Sequence, residues 1–359
     1  MQTGLTSGAI DPTSVTEVGS GFQMLAMLLT LGLGPLSKPW RTSQMKKSLV
    51  ALAVLAASGA VMAQSSVTLA GKMNVGIQST NGSKNALTGG ADGSDSRLIF
   101  RGTEDLGGGL KANFHAETGF KPDTGLNDNA ANQLFQRQAW GGLSGGFGEV
   151  RAGRQYTIGF FGSIASMPST YTDPALGVGF GFNGMGSRNN DQIQYWSPRV
   201  GGAQLRISTQ LAGDTSNAAT KAAKSNEFGL SYTAGKLSLD LTAANVTSAA
   251  NVKTSPMGVY GAYNFGAFAA HLGYVDTDSA AGKGTVAKVT MPMGANTLFV
   301  GMAQNSTTKA DAFEIGNFHS LSKRTRIYAL YANGSKDAKG ATGVISNGKK
   351  VALGLDHNF

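Results

Sequence analysis

Apolar and polar residues alternate with a period of two over most of the chain beyond residue 64. In Gln204–Leu211 the odd positions are mostly apolar and the even ones polar. Phe228, Leu230 and Tyr232 alternate with Glu227, Gly229 and Ser231, and Leu237, Leu239 and Leu241 alternate with Ser238, Asp240 and Thr242. The same beat returns at Phe268–Tyr274, Ala287–Met291 and Leu298–Met302. Dyads of this kind, separated by turn residues, predict the strands of an all-β transmembrane antiparallel barrel. About sixteen candidate strands follow, near residues 67–79, 94–102, 110–121, 133–143, 148–155, 190–197, 203–212, 226–235, 236–246, 256–265, 266–275, 284–292, 296–304, 311–320, 324–333 and 350–359. An even number suits a single-chain bacterial barrel.

A soluble sandwich would alternate as well, so the ends of the chain decide between the two. Residues Val351, Leu353, Leu355, His357 and Phe359 share one face of the last strand, and Ala352, Gly354, Asp356 and Asn358 share the other. Termini usually fray. A membrane barrel must instead close its last strand on its first, because an open edge in lipid leaves backbone groups unpaired. Upstream, residues 45–63 read as a secretory signal peptide. Lys46 and Lys47 are followed by an apolar run and a small-x-small site at Val61-Met62-Ala63. Met45 then reads as the true start, residues 1–44 as a mis-called extension or a rarely used leader, and residues 64–359 as the barrel.

Composition narrows the class further. The chain has 51 glycines, no cysteine and only 14% charged residues, unlike a helical or Rossmann enzyme. No run of some 20 apolar residues marks a helical membrane protein. The absence of cysteine excludes disulfide frameworks, thiolate metal sites and cysteine nucleophiles. Of 30 Lys+Arg and 21 Asp+Glu, four and two precede Gln64, which leaves a surplus of +7 downstream. Those charges are scattered through strands, which favours a pore lining over a nucleic-acid arm.

Glycine connectors at 107–109, 145–146 and 234–235 predict tight turns, and the polar stretches 80–93, 213–225 and 334–349 predict longer external loops. Residues 156–189 form a long connection whose Ile158, Phe160, Phe161, Ile164, Phe180 and Phe182 predict packing against protein. Folded into the barrel, it would narrow the lumen. Aromatics near strand ends, such as Tyr263, Phe265, Tyr274, Phe318 and Tyr331, predict interfacial girdles. Two motifs are decoys. Gly142-Leu143-Ser144-Gly145-Gly146 fits a nucleophile elbow but lies in a strand-to-turn segment. Gly179–Gly184 fits G-x-G-x-x-G but has no βαβ unit around it. The four histidines are far apart, so no metal motif and no cofactor is expected.

Several blocks carry a specific resemblance. They are Ser96–Ala112, Arg137-Gln138-Ala139-Trp140, Leu143–Gly148, Gly153-Arg154-Gln155-Tyr156, Leu321–Thr325 and the terminal His357-Asn358-Phe359. In order and spacing they resemble the general porins of beta-proteobacterial outer membranes. That resemblance implies sixteen strands, a homotrimer in outer-membrane lipid, an inward third loop, and passage of small hydrophilic solutes and anions. It also implies a wall of arginines, matched here by Arg97, Arg137 and Arg188, facing a loop carboxylate, matched by Asp173. Alternation independently puts Arg97 and Arg101 in the lumen if Leu98 and Phe100 face lipid. Likewise it puts Lys111, His115 and Glu117 inside if Phe114 and Ala116 face out. The expected function is a passive, mildly anion-selective channel and not an enzyme. The competing expectations are a closed structural barrel or adhesin, and a barrel hydrolase using Ser144.

Overall fold

The computed structural model describes residues 65–80, 85–128, 133–166, 185–211, 224–280, 282–307, 309–334 and 348–359. The expected signal peptide, the 1–44 extension and Asp173 lie outside these described residues. The first strands are β1 (Ser66–Thr80), β2 (Ala86–Gly89), β3 (Ser96–Gly107), β4 (Leu110–Phe120), β5 (Gln138–Gly145) and β6 (Gly148–Tyr156). A helix, α1 (Ile158–Ser166), precedes β7 (Arg188–Trp196), β8 (Ala203–Gln210), β9 (Lys224–Ala234) and β10 (Leu237–Thr247). Then come β11 (Lys253–Thr254), β12 (Met257–Asn264), β13 (Ala269–Asp276) and β14 (Lys283–Met293). The last four are β15 (Asn296–Asn305), β16 (Asp311–Ser320), β17 (Thr325–Gly334) and β18 (Gly348–Asn358).

All pairings are antiparallel, and β18 pairs with β1, so the sheet has no edge. Strands β2 and β3 pair with successive parts of β1 (Gln78↔Ala86, Lys72↔Arg97), and β11 and β12 do the same against β10. Each such couple is one stave interrupted by a short excursion. The eighteen strands therefore make a closed barrel of sixteen staves. Connections at one end are tight turns. In the β3–β4 turn Gly107, Gly108 and Gly109 all have positive φ (84°, 60° and 81°), a left-handed path that a side chain would strain. The longer connections gather at the other end.

Alternation placed the strands well but missed three boundaries. Strand β3 runs on to Gly107 instead of stopping near 102, and the stretch expected as loop 80–93 contains β2. Strand β5 begins at Gln138, not 133. Just before it, a side chain joins the backbone bonds: Gln136 Nε2 donates to the Gly119 carbonyl at 3.1 Å, and the Arg137 amide to the Glu117 carbonyl at 3.2 Å.

The closing seam shows why the final residue matters. The Gly71 amide donates to the Phe359 carbonyl at 3.0 Å, and the Phe359 amide returns a bond to the Gly71 carbonyl at 3.1 Å. The Phe359 ring covers Gly71 so closely that a Cβ there would lie 2.3 Å from it. On the lumenal side of the same seam, Asp356 accepts from Lys72 and from Arg326, each at 2.8 Å. Asn74 Nδ2 donates to Asp92 at 2.7 Å and Tyr328 donates to Asn74 Oδ1 at 2.9 Å, tying the excursion at residues 90–95 to the wall.

Outward positions such as Leu241, Val300 and Leu353 are exposed large hydrophobics, as a lipid-facing belt requires. The lumenal face is not uniformly polar. On the β12–β18 side it carries a buried apolar cluster with Tyr260, Val286, Phe299 and Leu330. Phe318 belongs with it, stacking on Phe299 at 5.0 Å, so this aromatic is lumenal and not part of an outer girdle. Its register explains that: Phe318 pairs with Tyr328, on the face opposite Ile327. Tyr263, Phe265 and Tyr274 are exposed outward as expected.

Helix α1 opens the long connection after β6. Thr157 caps it by accepting the Phe160 amide at 3.1 Å. The helix lies inside the barrel. Ile158 is fully buried and occupies the space above lumenal Gly229, where a Cβ would sit 2.4 Å from its Cγ2. A Cβ on Gly162 would meet Asp240 and Thr242 of β10, each at 2.5 Å. Glycines on both helix and wall thus allow the close approach. The described part of the long connection therefore folds inward; Phe180 and Phe182 lie outside the described residues.

Candidate functional site

The lumenal wall of β3–β7 carries a dense cluster of charges. Strand pairing puts Arg97 and Arg101 of β3 on one face with Lys111, His115 and Glu117 of β4, as alternation predicts. Arg97 and Glu117 lie toward the long-loop end, whereas Arg101 and Lys111 lie toward the short turns. The two groups are not one site.

Glu117 is the centre of the upper group. Its carboxylate accepts Arg137 Nε at 2.7 Å and Gln138 Nε2 at 2.8 Å, and it lies 3.1 Å from His115 Nε2 and 3.4 Å from Arg97 Nη1. With 3% of its side chain exposed it is a buried counterion and not a water-facing lining residue. Alternation gave the direction of the side chain correctly. It could not show that four neighbours cover it.

Arg137 is spoken for several times over. Besides Glu117 it pairs with Asp95 at 2.9 Å and Asp128 at 3.5 Å, and its Nη2 donates to the Tyr156 hydroxyl at 3.0 Å. Its counterions come from the wall and from excursions next to it. Arg188 stands differently. Its guanidinium lies 4.6 Å above the Tyr156 ring and donates to the same hydroxyl at 3.2 Å. It has no carboxylate partner among the described residues, and its Nε is buried without a hydrogen bond. Among the described residues Arg154 likewise bonds only neutral oxygens, the Gln136 carbonyl at 2.5 Å and Asn190 Oδ1 at 2.6 Å. Tyr156 therefore joins an arginine paired with acids to one that, among the described residues, has no acidic partner.

These side chains surround a cavity of about 610 Å³, lined by Asp95, Lys121, Asp128, Arg137, Arg154 and Arg188 among others. Sequence reasoning found Arg137 and Arg188 but missed Arg154, Lys121, Asp95, Asp128 and Tyr156. The Gly153–Tyr156 block was a signal for two of these. The acids gave none, because both sit outside regular strands.

A second band lies nearer the short turns. Arg151 is held between Trp140 and Trp196, at 4.6 and 4.4 Å from their ring centres, and it pairs with Glu149 at 2.6 Å. Arg206 extends the stack over Trp196 and pairs with Asp240 at 2.5 Å. These cations are matched by acids. Ser144, the apparent nucleophile, accepts Asn113 Nδ2 at 2.9 Å and is followed by a strand, not a helix.

Comparison with known proteins agrees with this architecture. A family model described as Gram-negative porin matches residues 48–339. Outer membrane porin protein 32 of Delftia acidovorans is 45% identical over 169 residues, 44% of this chain and 47% of that protein. The chain thus spans about half the length of that relative. An outer membrane porin protein of Bordetella pertussis is 29% identical over 88% of this chain and 100% of its own length. Among solved structures, the anion-selective porin from Comamonas acidovorans superposes with a TM-score of 0.63 at 25% identity. That alignment covers 82% of this chain and 100% of that one.

Proposed function

The chain belongs to the Gram-negative porin family, and from that premise we propose that it forms a passive channel for small hydrophilic solutes, mildly selective for anions. One observation carries the selectivity. Arg154 and Arg188 face the same cavity with neutral partners only, among the described residues. A hydrated anion passing this point loses part of its water, and guanidinium donors replace it. Arg97 and Arg137 contribute less, because Glu117, Asp95 and Asp128 already balance them. The surplus of basic residues, formally +7 over residues 64–359, supports the same sign of selectivity.

The mature protein in this reading is residues 64–359, exported by the signal at 45–63, with 1–44 not retained. It sits in outer-membrane lipid as a homotrimer and uses no cofactor. The Comamonas protein, described as anion-selective, supports the reading by likeness. The test is the reversal potential of refolded residues 64–359 in a planar bilayer under a KCl gradient. Stepwise currents with an anion-biased potential are expected. A cation bias would refute the selectivity, and a folded barrel without currents would refute the channel in favour of a closed structural barrel or adhesin.

A further inference from the structure

Helix α1 must stay against the wall for the lumen to keep a fixed width, and one buried carboxylate holds its first turn. Glu227 projects into the barrel from β9 and is 4% exposed. Its Oε2 accepts the Ile158 amide, the first of α1, at 2.6 Å. Its Oε1 accepts Asn189 Nδ2 and Gln192 Nε2 at 3.1 Å each, and the Ser225 hydroxyl at 3.0 Å. All four partners are donors. No cation pairs with this carboxylate among the described residues. An ionised carboxylate is acceptor-only and fits such a set, whereas a side-chain amide of the same shape does not. Buried charged hydrogen bonds of this kind are strong, and leaving one unmade is costly. The surroundings complete the seat: Ile158 fills the space over Gly229, two residues along the same strand.

We propose that Glu227 is the positioning residue that latches α1 to the lumenal wall, and so fixes the width of the pore. It touches no solute; it acts by holding the helix. The statement about pore width rests on the channel reading above, while the latch itself does not.

The test is Glu227→Gln in the refolded chain, read by hydrogen exchange and by single-channel recording. The glutamine NH2 faces either the Ile158 amide or the Asn189 and Gln192 amide donors, donor against donor. Exchange at Ile158–Phe161 is expected to rise at least tenfold while the strands stay protected. Currents are expected to flicker to reduced levels at least tenfold more often than in the unmodified protein. Gly229→Ala, which pushes Ile158 off its seat from the other side, is expected to do the same without touching the carboxylate. Glu104→Gln, at an exposed carboxylate near the short turns, is expected to change neither readout. Unchanged exchange in Glu227→Gln would overturn the latch, whatever Gly229→Ala does. Raised exchange with quiet currents of unaltered size would overturn its role in pore width. If the unmodified protein passes no current, the channel reading fails, and exchange alone still decides the latch.

Discussion

Arg188 and Arg137 bond the same tyrosine hydroxyl, yet removing each is expected to do a different kind of damage. Arg188→Ala takes away a guanidinium whose partners are Ser187, at 3.4 Å, and Tyr156. Among the described residues, nothing buried and charged is left behind. An anion about 4 Å from such a charge gains about 1 kcal/mol in a water-like medium and about 4 kcal/mol at a protein surface. The lumen is taken as water-like, so the lower figure applies. It corresponds to about a fivefold fall in the chloride-to-potassium permeability ratio. Salt near 1 M would shrink the effect, since screening then acts over about 3 Å. Arg137→Ala instead strips Glu117, 3% exposed, of its shortest ion pair, leaving Arg97 at 3.4 Å and His115 at 3.1 Å. Breaking a buried pair costs roughly 3–5 kcal/mol, and the remaining partners put this case near about 3 kcal/mol. The expected phenotype is a less stable barrel. The assay is the reversal potential under a dilute KCl gradient for both variants, alongside urea unfolding of each in lipid. A permeability ratio unmoved by Arg188→Ala would refute the assignment of selectivity to the uncompensated arginine. Full stability of Arg137→Ala would refute the account of Glu117 as its buried counterion.

Further outcomes follow from the fold. Leu241→Arg puts a charge on the lipid face of β10, where such changes cost about 2–4 kcal/mol near mid-membrane, and urea unfolding in bilayers should show it. Phe359→Ala removes a ring that is 44% exposed, so roughly half of a full core loss, about 2 kcal/mol, is expected, with slower refolding into the closed barrel. Asp356→Ala leaves Lys72 and Arg326 facing each other across the seam. Because Arg326 is 35% exposed, a cost of about 2 kcal/mol is expected instead of the full cost of a buried pair, again by unfolding in lipid.

Local pattern alone carried a great deal of this molecule. Period-two alternation marks nearly every stave, and it states which face of each strand turns to lipid, because neighbouring side chains point to opposite sides of a pleat. The face assignments of Arg97, Arg101, Lys111, His115 and Glu117 all follow from that rule. So does the terminal strand, whose Phe359 pairs with Gly71 as closure demands. Where local pattern is weak, the boundaries slipped: β2 hides in a polar stretch, and β5 starts at Gln138 instead of 133. The strand-end rule for aromatics misjudged Phe318, for a barrel interior is not obliged to be polar where protein fills it.

What only the tertiary structure decided is which charges are free. Arg137 meets Asp95 from 42 residues away, Glu117 from 20 and Asp128 from 9. Glu227 reaches the first amide of α1 across 69 residues. Among the described residues, Arg154 and Arg188 meet only neutral groups and face the cavity. Alternation fixes a direction, which is a property of one strand. Charge compensation depends on distance between strands and excursions far apart in the chain, and those distances exist only once the barrel has closed.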